Sequence, residues 1–460
     1  MERVQINNLG IPPLAGLSSY EDACKPGYSV DHNVELLKRY NYAESRLNQI
    51  FAAHLPSTPE WEVKCAFSLY MWQDADHSAQ LRKRVSEMRE PPLQLDRVPD
   101  PKLQKFFDEV IRAENTVELL VGIFRVVKPE LIRSFQKHLS ETNPIIDHPT
   151  CRVLKNLLRE EEEMVAWGEA AIEALTETEY SRRNAVEWEA HLRSFLHHCS
   201  GISGDLAAPE GFALPQARSD GSEYIMDLIP QRDSRFIDQF NQSALIDQYY
   251  RDETLDYDER TYALLYKRLR EMDVPEYMAP FIYNVKDKPW DYYVDQSRQL
   301  WDECRHSMMG EIGLYRDGVP FYKYPIDIKT SYNAATKLTQ SEAHLNLLGV
   351  ELGLMAKETG KRYEWIIAQG SCNDFGVACQ DYDWADEVLH TQIGRKWLTP
   401  VYGSLENIQT MYDQIRPKVL EFYKDASALS DQQEWWSDFI QEIRENRDKL
   451  KTAFTNVHNN

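Results

Sequence analysis

The sequence predicts an all-α protein. Three observations carry this: long stretches repeat their apolar residues at helical spacing, alternating β-branched runs are scarce, and only 19 of 460 residues are glycine. Helices are expected over 33–54, 60–89, 101–125, 129–140, 149–175 and 180–198. A breaker-rich stretch follows, containing GISGDLAAPEGFALPQARSDGSE. Helical periodicity resumes near 243–251, 258–272, 275–285, 290–312, 335–358, 361–369, 373–398, 404–425 and 431–455. Pro56, Pro59, Pro289 and Pro400 read as boundaries or first-turn residues. The organisation expected is a helical bundle over 1–200, an irregular linker over 201–242, and a second bundle over 243–460 that ends in two extra helices.

Composition narrows the function. Lys and Arg total 52 against 74 Asp and Glu, a net charge of -22. That field repels phosphate backbones, so nucleic acid is not expected as a partner. The start, MERVQINNLGIPPLAGL, lacks a basic run followed by an apolar core, and no stretch nears 18 uninterrupted apolar residues. The seven cysteines form no CxxC pair. A reduced, cytoplasmic protein without a membrane span is the expectation. GxGxxG, P-loop, GxSxG and HExxH motifs are absent.

Two short motifs stand out. Asp302-Glu303-Cys304-Arg305-His306 and Asp386-Glu387-Val388-Leu389-His390 each set a glutamate three residues before a histidine. Residues at i and i+3 share one helical face, so each motif can aim a carboxylate and an imidazole at one point. Upstream of the first lies Glu276 in VPEYMAPFIYN, with Glu271 as the fallback. Upstream of the second lies Glu351, the lone acid in LNLLGVELGLMA. An isolated carboxylate there is costly to bury unless it is paired or bound to a cation.

The first half carries a weak echo. Glu44 precedes Asp74-x-x-His77, and Trp61 stands 13 positions before Asp74 as Trp290 does before Glu303. REEEEMVAWG (159–168) aligns with ADEVLHTQIG (385–394), which sets Glu161 against Glu387 and Met164 against His390. Thioether sulfur suits hard, oxygen-loving iron poorly. The expectation is a degenerate copy that binds one metal weakly through Glu44, Asp74, His77 and Glu161, or serves as a structural or dimerising half.

The order Glu, Glu-x-x-His, Glu, Glu-x-x-His resembles the ferritin-like carboxylate-bridged di-iron superfamily, and in particular a bacterial branch of largely unassigned function. The resemblance implies two ferritin-like bundles. The second would hold two Fe ions, or Mn and Fe, through Glu276, Glu303, His306, Glu351, Glu387 and His390. It also implies that Asp302 and Asp386 hydrogen-bond ligand histidines, which would fix their tautomers. The function expected is a non-haem oxidase or oxygenase using dioxygen on a small organic substrate, with an external electron donor and a homodimer as candidate partners. The competing expectation is a non-catalytic helical scaffold or metal-binding protein of the same fold.

Overall fold

A computed structural model describes residues 6–236, 246–326, 328–428 and 435–458, and within them the chain is helical with no strand. The all-α expectation holds. No helix among the described residues is long and apolar enough to cross a membrane. The chain separates into two compact units, 1–50 with 73–224 and 51–72 with 225–460.

The first unit contains most of α1 (Val30–His54) and α2 (Trp61–Met88), then α3 (Pro101–Val110), α4 (Thr116–Val121), a π-helical turn (Gly122–Val127), α5 (Lys128–Glu141), α6 (His148–Leu175) and α7 (Glu179–His198). Its core includes Tyr40, Leu47, Phe106, Phe124, Leu154 and Phe195, all essentially inaccessible. The helix expected over 101–125 is broken. Asp100 caps α3, accepting from the Lys102 N–H at 2.8 Å, and Asn115 starts a new helix by accepting from the Glu118 N–H at 3.0 Å. Two side chains that satisfy orphan N–H groups outweigh a continuous apolar pattern.

The second unit contains α8 (Ile246–Arg251), α9 (Tyr257–Arg270), α10 (Asp273–Asn284), α11 (Trp290–Arg316), α12 (Lys329–Lys337), α13 (Gln340–Leu354), α14 (Lys361–Gly370), α15 (Asp374–Tyr402), α16 (Leu405–Ala428) and α17 (Trp435–His458). Residues 243–245 and 431–434 of the expected helices lie outside the described residues. The helix expected over 335–358 is two helices. A capping box at Thr339 and Glu342 starts α13, and α12 precedes it. Pro400 is a boundary only loosely, since α15 runs two residues past it.

Residues 51–72 belong to the second unit, not to a first bundle over 1–200. Trp61 and Cys65 join its hydrophobic core beside Leu265, Leu269 and Cys304. The first unit in turn extends to 224, into the expected linker. Glycines set how closely the second unit's helices pack. A Cβ at Gly310 on α11 would fall 2.2 Å from the Leu269 backbone nitrogen on α9, and one at Gly394 on α15 would fall 2.6 Å from Leu348 Cδ1 on α13. At Gly310 the neighbour is backbone, so only glycine permits the contact; at Gly394 a larger residue would displace the Leu348 side chain.

Candidate metal centre

Those two glycines place the chemistry. Gly310 stands seven residues after Glu303 and four after His306, and Gly394 stands likewise after Glu387 and His390. Each therefore lies on the same helical stripe as its motif. Tight packing at the glycine turns the Glu-x-x-His pair onto the neighbouring helix.

Two groups of donors result, both buried. One is Glu303, Glu351, Glu387 and His390; the other is Glu271, His306 and Asp383. His390 Nδ1 lies 3.2 Å from Glu303 Oε1, 3.6 Å from Glu351 Oε1 and 3.0 Å from Glu387 Oε2. His306 Nδ1 lies 3.4 Å from Glu271 Oε2, 3.6 Å from Glu303 Oε2 and 3.5 Å from Asp383 Oδ1. Glu303 faces both imidazoles, one through each carboxylate oxygen.

The other ring nitrogens point at aspartates on the opposite helix. His306 Nε2 is 3.1 Å from Asp386 Oδ2, and His390 Nε2 is 3.5 Å from Asp302 Oδ2. A proton held on Nε2 leaves the Nδ1 lone pair facing inward. Asp302 is steadied by Arg298 Nε at 2.8 Å and Arg305 at 2.9 Å, and Arg305 also reaches Asp386 at 2.6 Å. Burial works against the Asp302 charge. The hydrogen bonds from His390, Arg305 and Arg298 nevertheless hold its carboxyl down to about 2.

The spacing decides what these groups suit. Four of the six inner N···O distances, at 3.4–3.6 Å, exceed a good hydrogen bond. Two ligands about 2.1 Å from one ion and roughly 90–110° apart stand about 3.0–3.4 Å from each other. Glu271 Oε2, Glu351 Oε2 and His306 Nδ1 are buried with no hydrogen-bond partner. Around His306, the buried Glu271 Oε2 and the imidazole Nδ1 face each other with no hydrogen bond between them, an arrangement a cation would satisfy; around His390, Nδ1 bonds Glu387 Oε2 at 3.0 Å.

Protein cations meet part of that need. Lys361 Nζ lies 2.7 Å from Asp383 Oδ1, 2.9 Å from Asp383 Oδ2 and 2.8 Å from Glu387 Oε1. Arg268 pairs with Asp383 and, at 2.8 Å, with Glu271 Oε1. Burial and the neighbouring Arg268 disfavour charge on Lys361, but Asp383, Glu387 and Glu271 outweigh them and raise its pKa well above the ordinary value. Burial and the Glu387 charge push Glu351 well above the usual carboxylate range. Glu271, despite burial, is held down to about 2 by Arg268 and Lys361. Five carboxylates (Glu271, Glu303, Glu351, Asp383, Glu387) thus face two permanent protein cations.

Glu276 is not part of the centre. Its carboxylate is buried against Lys64 and Arg232, with Arg232 Nη2 at 3.1 Å and Ser331 Oγ at 3.4 Å. Its place is taken by Glu271, which closes α9 just after Arg270. Glu303, His306, Glu351, Glu387 and His390 do converge as the motifs suggest. Asp383, Lys361 and Arg268 were not singled out from the sequence. Asp383 had a signal, being four residues before Glu387 on the same face. The two cations had none, since only packing brings them in.

In the first unit, Glu44, Asp74, His77 and Glu161 also come together, fully buried. Here Lys128 Nζ lies 2.9 Å from Asp74 Oδ1 and 3.0 and 3.1 Å from the two oxygens of Glu161.

Beside the second unit's centre is a cavity of about 80 Å³. Glu271, Glu303, Glu351 and Glu387 are among its polar lining, and Tyr277, Leu347 and Leu354 among its apolar lining. Fold and site together define an all-helical protein with buried carboxylate–histidine groups of the kind that hold metal ions. No protein-family model, no curated protein and no solved structure matches the chain.

Proposed function

We propose that the second unit is a non-haem di-metal oxidase or oxygenase. It would hold two Fe ions, or Mn and Fe, one at Glu271, His306 and Asp383 and one at Glu351, Glu387 and His390, with Glu303 reaching both. The observation carrying this is that each inward imidazole nitrogen is ringed by three carboxylate oxygens at 3.0–3.6 Å, and that Glu303 is common to both rings. Carboxylate with imidazole suits Fe and Mn. When bound, such a pair supplies reducing electrons to dioxygen and so oxidising power toward a small organic molecule. The resemblance to the ferritin-like di-iron superfamily supports the reading.

The chain's own residues set the conditions. Asp386 keeps the His306 Nε2 proton in place, and Asp302 sets a negative charge opposite His390 Nε2. Lys361 holds a proton beside Glu387 Oε1, buried from solvent, and ties that oxygen, leaving Oε2 to face His390. Arg268 fixes Asp383 and Glu271. The cavity limits what reaches the centre, because sites for drug-sized ligands run to about 300–1,000 Å³. The substrate class is accordingly a small molecule, with electrons returned by an external donor.

Anaerobic loading with ferrous ion, followed by exposure to air, tests the proposal. The His306→Ala/His390→Ala variant should hold two fewer ions per chain than the wild type and take up no dioxygen. Equal metal content in the two proteins would sink it. A second reading, a non-catalytic helical scaffold, draws on Lys361 and Arg268, which already neutralise part of the cluster. It predicts equal metal content in the wild type and the His306→Ala/His390→Ala variant, and no dioxygen uptake.

A further inference from the structure

The first unit's cluster differs from the second's at several positions, and two of the differences compensate. Along the aligned segments, Asp74 corresponds to Glu303, His77 to His306, Glu161 to Glu387 and Met164 to His390. The glycine seven residues on persists as Gly168, where a Cβ would fall 2.1 Å from Phe124 Cγ, so α6 is pressed against its neighbour as α15 is. Where the second unit offers His390 and Glu351, the first offers a thioether and the Lys128 ammonium. Lys128 touches Asp74 and Glu161, the counterparts of Glu303 and Glu387. It is fully buried, and carried on the turn after a π-helical segment, a distortion that re-aims side chains at functional sites.

One cation position is thereby filled by the protein, and the other is not. His77 Nε2 is tied to Glu160 Oε2 at 2.9 Å, which leaves Nδ1 facing Glu161 Oε1 at 3.4 Å and Glu44 Oε1 at 3.6 Å. Both oxygens of Glu44, Oδ2 of Asp74 and Nδ1 of His77 have no hydrogen-bond partner, and all three residues are inaccessible to solvent. Three buried carboxylates face one lysine, where desolvation makes an unpaired charge very costly. A proton on His77 could reach only one of two oxygens, both beyond good hydrogen-bond length.

We propose that the first unit binds a single divalent first-row cation through Glu44, His77 Nδ1, Glu161 and Asp74, with the Lys128 ammonium standing where a second ion would lie. The site is mononuclear, because Lys128 repels a second cation and Met164 offers it no hard ligand.

Mn²⁺ alone, loaded anaerobically and counted per chain after desalting, tests this. Glu44→Gln, a near-isosteric change, should lower the count by one whatever the second unit holds. Lys128→Glu combined with Met164→His should raise it by one. In the His306→Ala/His390→Ala background one ion should remain, and adding Glu44→Gln should remove it. An unchanged count in Glu44→Gln, with helical circular dichroism intact, overturns the proposal. Loss of ions only on changing His306 and His390 would uphold the second unit's centre and refute this one. Should Glu44→Gln fail to fold, His77→Gln in the wild-type background reads the same loss of one ion.

Discussion

At the scale of single residues, the centre depends on which imidazole nitrogen faces inward. Asp386 bonds His306 Nε2 at 3.1 Å, and the Asp302 carboxylate faces His390 Nε2 at 3.5 Å. Replacing either aspartate by asparagine removes the charge that steadies the ring. Metal affinity should fall about 10–100-fold, as outer hydrogen-bond partners of metal ligands typically show, while the fold persists. A competition titration with a chelator measures it, and unchanged affinity in both variants would refute the role. Lys361 makes a second case. Lys361→Met strands Asp383 and Glu387 beside Arg268 alone, and breaking a buried pair costs about 3–5 kcal/mol. The metal-free variant should therefore melt well below the metal-free wild type, and added Mn²⁺ should recover much of the gap. A variant equally stable with and without metal would contradict this. The residues themselves explain what was legible. Glu303, His306, Glu387 and His390 announce themselves by spacing. Glu276 and Glu351 look alike as lone acids in apolar stretches, and that context states only that the acid is buried with some cation. For Glu276 the cations are Lys64, some 212 positions away, and Arg232.

At the scale of elements, close helix packing aims the Glu-x-x-His side chains. The interval from motif to glycine is the same at Gly310 and Gly394, and at Gly168 in the first unit. Gly310→Ala would press a methyl onto the α9 backbone at Leu269. Backbone cannot step aside as a side chain can, so α11 must shift. Overpacking of this kind costs about 1–3 kcal/mol or more, and the shift should also lower the metal count of the second unit. Thermal melting and metal analysis of Gly310→Ala check both, and a wild-type count would show that the glycine does not aim the motif. Periodicity found most helices because their apolar stripes are long. It missed the breaks near 111–115 and 338–339, where Asn115 and Thr339 cap new helices. Caps are local hydrogen bonds within a continuing apolar pattern, so the stripe alone conceals them. The two-way grouping of α2 was hidden for another reason. Trp61, Cys65 and Lys64 pack with residues some 200 positions later, which no local pattern reports.

At the scale of the whole molecule, charge and burial set the response to pH. Two histidines outside the centre are buried in neutral form. Burial pushes His138 down to about 4, and His344, stacked on Phe281, likewise to about 4. In the unfolded chain each would take up its proton near 6.5. Folding thus favours the neutral rings; their contribution is complete above about pH 6.5 and is lost as pH falls toward 4, by up to roughly 3 kcal/mol each. Stability measured by chemical denaturation should fall across that window, and His344→Phe should flatten the slope relative to wild type in the same metal state. Identical slopes would refute the assignment. The net charge of -22 favours accumulation of cations near the surface.

The most direct test of the central claim is a crystal structure with anomalous scattering recorded at the iron and manganese edges. The account predicts two metal peaks in the second unit, one against His306 Nδ1 and one against His390 Nδ1, both in contact with Glu303. Clear density for these side chains with no metal peak, and Lys361 and Arg268 alone balancing the carboxylates, would contradict it.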